Sequence, residues 1–364
     1  MQFNMYLSPT ATNTGYGYIQ WKITKALMEL GHDIEPLNPG VYFINDYDDV
    51  YEGDRQYELF LNPTNASVIN AHDKILSINY PTMVGKLSTQ KSYVFTMWES
   101  DNLPKYLVNC LNKHDVIIVP CKHNAEHFAK CVLTRPIFHV PLANDQKDYH
   151  YLNRNWDISE ENPFTFLHMG FPNWRKGGDL AMKAFKKVFP TQKDVQLIMK
   201  CSRQYCNPKL MAAMKSSDDR IYLMKDHLKI EDMRDLYQVS HCQLGTSRGD
   251  GWNLFIFDGL ATGLTSIINT YCGTNEFAHL GMPLRHIMTD SQHVQERDKK
   301  NMEIFDEPWG WFGEPDFDHL CELMEFAYKN PSVCREQGQA AARTISDNYS
   351  WNKTAQMITK IMED

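Results

Sequence analysis

At 364 residues, with 43% hydrophobic and 23% charged residues, the sequence has the length for two domains and the composition of an ordinary globular protein. A formal net charge of −8 argues against an obligate, strongly basic nucleic-acid binder. No apolar run approaches the roughly 18 residues of a membrane span, and MQFNMYLSPT lacks the basic and apolar regions of a signal peptide. Nine cysteines are scattered without a tight framework; the closest pair, Cys201 and Cys206, lacks zinc spacing and a second pair. Reduced thiols in a cytoplasm are expected.

MQFNMYLS alternates like a strand, and PTATNTGYGY follows as a loop holding Gly15 and Gly17. Ile19, Ile23, Leu27 and Leu30 then mark a helix that stops at Gly31. Strand, glycine-containing loop and helix in that order put backbone amides at the edge of a ligand. Strand-like pieces recur at YELFLN, KILSINY, KSYVFTMW and DVIIVP, separated by polar or helical stretches. That alternation predicts a parallel, doubly wound sheet, in which ligands bind at the carboxyl ends of strands. Trp98, Glu99 and Ser100 fall at such an end. Glu99 there either accepts a hydrogen bond from an incoming hydroxyl or is a surface acid beside Lys105. Lys74 to Arg135, with Lys86, Lys91, Lys105, Lys113, Lys122 and Lys130, is mildly basic. His114, His123 and His127 lack a carboxylate on the right helix face, so no metal is expected.

A polar, irregular connection over 151–163 separates a first domain (1–150) from a second one that begins with the strand FTFLHMG near Phe164. The next loop carries Arg175 and Lys176 ahead of Gly177 and Gly178, then a helix with Leu180, Ala184, Phe185 and Val188 on its apolar face. Two cations at a helix N-terminus oppose the dipole, which makes sense either with an anion between them and the helix or as a solvated basic turn. VQLIMKCS is a further strand, and Lys200 and Arg203 at its end are placed to approach the same anion.

The stretch Ser247 to Gly263, SRGDGWNLFIFDGLATG, is the most informative. Leu254, Phe257 and Ala261 predict a helix from near Trp252 to Gly263. Asp250 then lies just before the helix, and Asp258 about two turns along it. The free N–H groups of such a terminus suit a phosphate, and the carboxylates suit sugar hydroxyls. Spacing alone fits equally an Asp N-cap followed by a core helix. Downstream, FDEPWGWFGEPDFDHL reads as a Gly/Pro loop, and Trp351, Ala355, Ile358 and Met362 form one helical stripe in the tail.

GDGWNLFIFDGLATG resembles the EGFGLPxxEAMAxG block of GT-B glycosyltransferases, in the large retaining family often called family 4. The resemblance covers nearly the whole chain and is strongest from Phe164 to Phe277. It implies an α/β fold of two Rossmann-like, doubly wound domains with a cleft between them, the second over 164–345, and a last helix (346–364) crossing back to the first. It also implies that the two acids, glutamates in the family and aspartates here, hold the donor: Asp250 the transferred sugar and Asp258 the ribose. Gly251, Trp252, Asn253 and Leu254 join them as donor-binding residues, and Gly15 and Gly17 match the N-terminal loop that lies over the donor. Lys176-Gly177 matches the Lys-Gly of GRLxxxKG; the family arginine position holds Phe171, which leaves the second charge to Arg175. Leu223 to Asp226 would lie beside the base, and Cys272 replaces the first glycine of a GG loop.

The implied activity is retaining transfer of a sugar from a nucleotide-diphosphate sugar, UDP favoured over GDP, to a hydroxyl of a glycan, lipid-linked or small-molecule acceptor. Glu99, Arg175, Lys176 and Asp250 are its expected catalytic residues. Neither cofactor nor metal is expected, and the expected location is the cytoplasm (a host's, for a virus-encoded enzyme). Two alternatives stay open: transfer onto a hydroxylated base in DNA, and non-enzymatic binding of a nucleotide-sugar.

Overall fold

A computed structural model describes residues 1–6, 15–37, 72–81, 90–131, 134–170, 173–201, 218–226, 228–291 and 309–364. The expected strand YELFLN, Lys86, Phe171, Arg203 and Cys206 lie outside the described residues. The chain divides into one unit of Met1–Ala143, Phe305–Trp309 and Tyr349–Asp364, and another of Asn144–Ile304 and Gly310–Asn348.

In the first unit β1 (Gln2–Tyr6), β2 (Asp33–Leu37), β3 (Lys74–Ile78), β4 (Lys91–Phe95), β5 (Val116–Val119) and β6 (Ile137–His139) form one sheet in the order β2-β1-β3-β4-β5-β6. Every pairing is parallel. The central strands KILSI, KSYVF and VIIV are buried almost throughout, as strands covered on both faces must be. α1 (Gly15–Glu29) buries Ile19, Ile23 and Leu27, and Gly31, at φ +82°, follows its end.

α1 starts earlier than its apolar spacing suggests. Gly15 and Gly17 stand in its first turn instead of a loop. The Tyr16 hydroxyl accepts from the Met97 amide (3.0 Å) and donates to the Met97 carbonyl (3.1 Å), which pins that turn to the chain leaving β4. α2 (Lys105–Leu111) and α3 (Lys122–Cys131) complete this part of the unit.

The last helix, α9 (Trp351–Glu363), packs on α1 with Trp351, Ala355, Ile358 and Met362 buried. Ser350 caps it by accepting from the Lys353 amide. Trp351 meets Tyr18 edge to face at 6.2 Å, and Thr354 donates to the Pro141 carbonyl at 2.9 Å. Trp309 also belongs to this unit, its ring 5.3 Å from that of Trp98.

The second unit repeats the plan. β7 (Phe164–Met169), β8 (Val195–Lys200), β9 (Ile221–Met224), β10 (Cys242–Gly245), β11 (Thr265–Asn269) and β12 (Met282–Leu284) form a sheet in the order β12-β11-β10-β7-β8-β9. All its pairings are parallel. Phe164, Phe166, Leu197 and Leu244 pack with Leu180, Ala184 and Phe185 of α4 (Gly178–Val188) and Leu320 and Met324 of α7 (Phe317–Lys329). A second cluster joins Leu167 and Met169 to Met233, Leu236 and Tyr237 of α5 (Ile230–Gln238). α6 (Leu254–Ala261) and α8 (Pro331–Asn348) complete the unit.

The stretch read as a connection packs on this unit: Trp156 and Ile158 lie on its core, and the Leu152 amide donates to the Thr262 carbonyl at 3.0 Å. The region read as a Gly/Pro loop contains a strand, β14 (Trp311–Pro315), paired antiparallel with β13 (His286–Asp290).

Candidate active site

From β7 the chain winds through β8 to β9 on one side of the sheet, then from β10 through β11 to β12 on the other. The loops leaving β7 and β10 therefore diverge at the carboxyl edge, where open α/β sheets bind their ligands. The loop after β7 ends in a 3-10 turn, Trp174–Lys176, capped by the Asn173 side chain, which accepts from the Lys176 amide at 3.0 Å. Gly177 follows at φ +69°, and a Cβ there would lie 1.9 Å from the Thr246 carbonyl oxygen. Only glycine lets the two loops approach so closely.

Once together they are laced by hydrogen bonds. The Arg248 amide donates to the Arg175 carbonyl (2.7 Å), the Ser247 hydroxyl to the same oxygen (3.2 Å), and the Thr246 hydroxyl to the Gly177 carbonyl (2.9 Å). From below, buried His168 on β7 lies 3.1 Å from the Lys176 carbonyl through Nε2. Burial holds its pKa below the usual value, so the neutral ring donates there.

This lacing brings Arg175, Lys176 and Asp250 together. Asp250 Oδ1 accepts from Arg175 Nη1 at 3.0 Å and from Lys176 Nζ at 2.5 Å, while Oδ2 accepts from Asn253 Nδ2 at 3.0 Å. Burial works to raise the Asp250 pKa, but the charges of Lys176 and Arg175 outweigh it and leave the carboxyl below its usual range. One carboxylate thus faces two cations, so the trio carries a net positive charge. The Arg175 and Lys176 side chains keep 21% and 16% exposure, enough to meet a solvent-borne anion.

Helix α6 begins at Leu254, two residues later than expected, so Asp258 lies one turn in, not two. The cause is Asn253, a left-handed N-cap at φ 71° whose side chain accepts from the Ile256 amide. Gly251 is held from behind, where the Gly273 amide donates to the Asp250 carbonyl at 2.8 Å. Trp252 is buried against Phe257 and Phe277, its Nε1 without a hydrogen-bond partner. Leu254 opens the helix half-buried.

Asp258 is buried and accepts from Asn144 Nδ2 at 3.0 Å. Burial first, and then the Asp258 charge, push the phenols of Tyr149 and Tyr237 up.

Lys200 ends β8, with Nζ 3.3 Å from the Cys201 carbonyl. Glu99 is half-buried beyond β4 in the first unit, where Gly15 is exposed and Gly17 buried in the first turn of α1. Burial raises the pKa of Tyr16, and the nearby charge of Glu99 adds to the rise.

Sequence reasoning passed over Arg248. Its side chain is 3% exposed, pairs with Asp179 (3.2 Å) and Glu314, donates to the Trp174 carbonyl, and lies 4.5 Å over the Trp174 ring. Burial works to lower its pKa, and the bonds to Glu314 and Asp179 more than reverse this. The only local signal is a charge beside a Gly-Asp-Gly turn, because its partners are 69 and 66 residues away.

Two parallel, doubly wound six-stranded units, with the last helix returning to the first unit, define the GT-B fold of glycosyltransferases. Over its length the chain is similar to sucrose-phosphate synthase from Thermosynechococcus elongatus, with 11% identity, 100% of this chain and 98% of that one covered, and a TM-score of 0.69. It is similar to a glycosyltransferase from Rickettsia africae ESF-5 at 13% identity, 99% and 97% coverage and a TM-score of 0.66. A trehalose-6-phosphate protein from E. coli bound with UDP-2-fluoro glucose matches at 9% identity, 100% and 99% coverage and a TM-score of 0.64. No family model and no curated protein matches the sequence. At such identities the likeness is one of fold.

Proposed function

We propose that the chain is a retaining glycosyltransferase that moves a sugar from a nucleotide-diphosphate sugar to a hydroxyl acceptor. The observation that carries this reading is the meeting of Arg175, Lys176 and Asp250 at the switch point of the second sheet, just ahead of α6. Such a place offers fixed positive charge, free helix amides and an ionised carboxylate together.

In this reading the diphosphate takes over Arg175 and Lys176, which frees Asp250 to accept from hydroxyls of the transferred sugar. Asp258 holds the ribose. The acceptor oxygen then bonds to the anomeric carbon from the face the diphosphate leaves. The bond from that carbon to the phosphate oxygen breaks, and its electron pair stays on the diphosphate, which also takes the acceptor proton. Arg175 and Lys176 stabilise the charge that builds there, the role metal ions fill elsewhere. Glu99 is proposed to orient the acceptor. UDP is the favoured carrier, supported by the UDP-2-fluoro glucose in one structure of like fold.

A thermal-shift screen over UDP-, GDP- and ADP-sugars tests the reading. A donor present at 100 times its Kd adds about 2.7 kcal/mol to the folded state, so one nucleotide series is expected to raise Tm by several degrees. No shift with any of the three would contradict it.

A further inference from the structure

Arg248 ties the cationic turn to α4 and to β14, yet does not itself join the trio. Its backbone amide holds the Arg175 carbonyl, and its own carbonyl accepts from the Gly313 amide of β14 at 2.9 Å. Its guanidinium spans Asp179 in the first turn of α4, Glu314 on β14 and the Trp174 carbonyl. Asn269 reinforces the same join, donating to the Ser247 carbonyl at 2.8 Å and the Gly313 carbonyl at 2.7 Å.

The charges are unevenly covered. Asp179 has a second cation, Lys183, at 3.7 Å, on a side chain that is 65% exposed. Glu314 is paired with Arg248, at Oε1 (2.8 Å to Nη2) and at Oε2. Without Arg248, a carboxylate one layer behind the phosphate-facing turn would stand uncompensated, its side chain 24% exposed and its charge screened in part by water and salt.

We infer that Arg248 is a positioning residue that fixes the Trp174–Lys176 turn and cancels the charge of Glu314, so that the Arg175–Lys176 wall stays attractive to a diphosphate. This rests on the donor reading given above and adds a residue to it. A merely structural tie and a charge-balancing one differ in what removing Glu314 does. If the pair only braces the fold, Glu314→Gln loosens the turn and anion binding weakens or stays level. If Arg248 exists to cancel Glu314, the same change leaves a surplus positive charge behind the turn and anion binding tightens.

The experiment is calorimetric titration of inorganic pyrophosphate and of UDP into the full chain at low and moderate salt, with melting curves to confirm folding. Glu314→Gln is expected to bind pyrophosphate several-fold more tightly, with the gain shrinking as salt rises. Arg248→Met is expected to bind it at least about tenfold more weakly. The double variant R248M/E314Q is expected to recover most of that loss, and Arg248→Lys to fall between. Should R248M fail to fold, E314Q alone decides. Unchanged or weaker binding by E314Q overturns the role of Arg248 and leaves the donor reading standing, provided the parent binds UDP. A parent that binds neither probe overturns both.

Discussion

Replacing Lys176 with alanine is expected to slow sugar transfer 10²- to 10³-fold, about 2.7–4 kcal/mol in barrier, the usual cost of losing one preorganised group that stabilises a developing oxyanion. The chain should still fold. Asp250 retains Arg175 at 3.0 Å and Asn253 at 3.0 Å, so no buried carboxylate is left without a partner. Turnover and Tm measured together therefore separate chemistry from stability: kcat falls while the melt moves little. Near-normal turnover in the variant would remove the diphosphate from this turn.

Asp250→Asn is expected to act in opposite directions on two measurements. It takes a negative charge away from Arg175 and Lys176, so free nucleoside diphosphate should bind several-fold more tightly. It also removes the acceptor proposed for the sugar hydroxyls, so turnover should fall at least about 100-fold, within the range that loss of an oriented polar contact costs. Loss of both binding and turnover would mean that Asp250 only shapes the loop.

The same residue sets an acid limit on stability. Its folded pKa lies below the ordinary 3.8, so its ion pairs stabilise the fold fully above that pH and are lost as pH falls through the lower, folded value. The variant has no such carboxylate, and its stability should be flatter across that acid window when followed by circular dichroism.

The parts of the fold legible in the sequence are those that local pattern decides. VIIV is apolar throughout, and KSYVF is buried from Ser92 onward, because both faces of their sheet are covered. The stripe Trp351, Ala355, Ile358 and Met362 is buried in α9 because helical spacing puts all four on one side. The two cations ahead of Gly177-Gly178 could be singled out because they oppose the helix dipole.

What stayed illegible is set by distant partners. The first turn of α1 depends on a hydroxyl of Tyr16 meeting Met97, 81 residues on. The late start of α6 depends on a left-handed Asn253, a conformation uncommon outside glycine even though asparagine is among the residues that adopt it most readily. β14 was hidden by its own Gly313 and Pro315, and its place is fixed by pairing with β13. Arg248 has the same character: three carboxyl or carbonyl partners from three separate elements give one residue its meaning.

The most direct test is a crystal structure of the chain with the nucleoside diphosphate selected by the thermal-shift screen. The proposal predicts phosphate oxygens within hydrogen-bond distance of both Lys176 Nζ and the Arg175 guanidinium, with Asp250 released from at least one of them. A diphosphate bound elsewhere, with both cations still resting on Asp250, would contradict it.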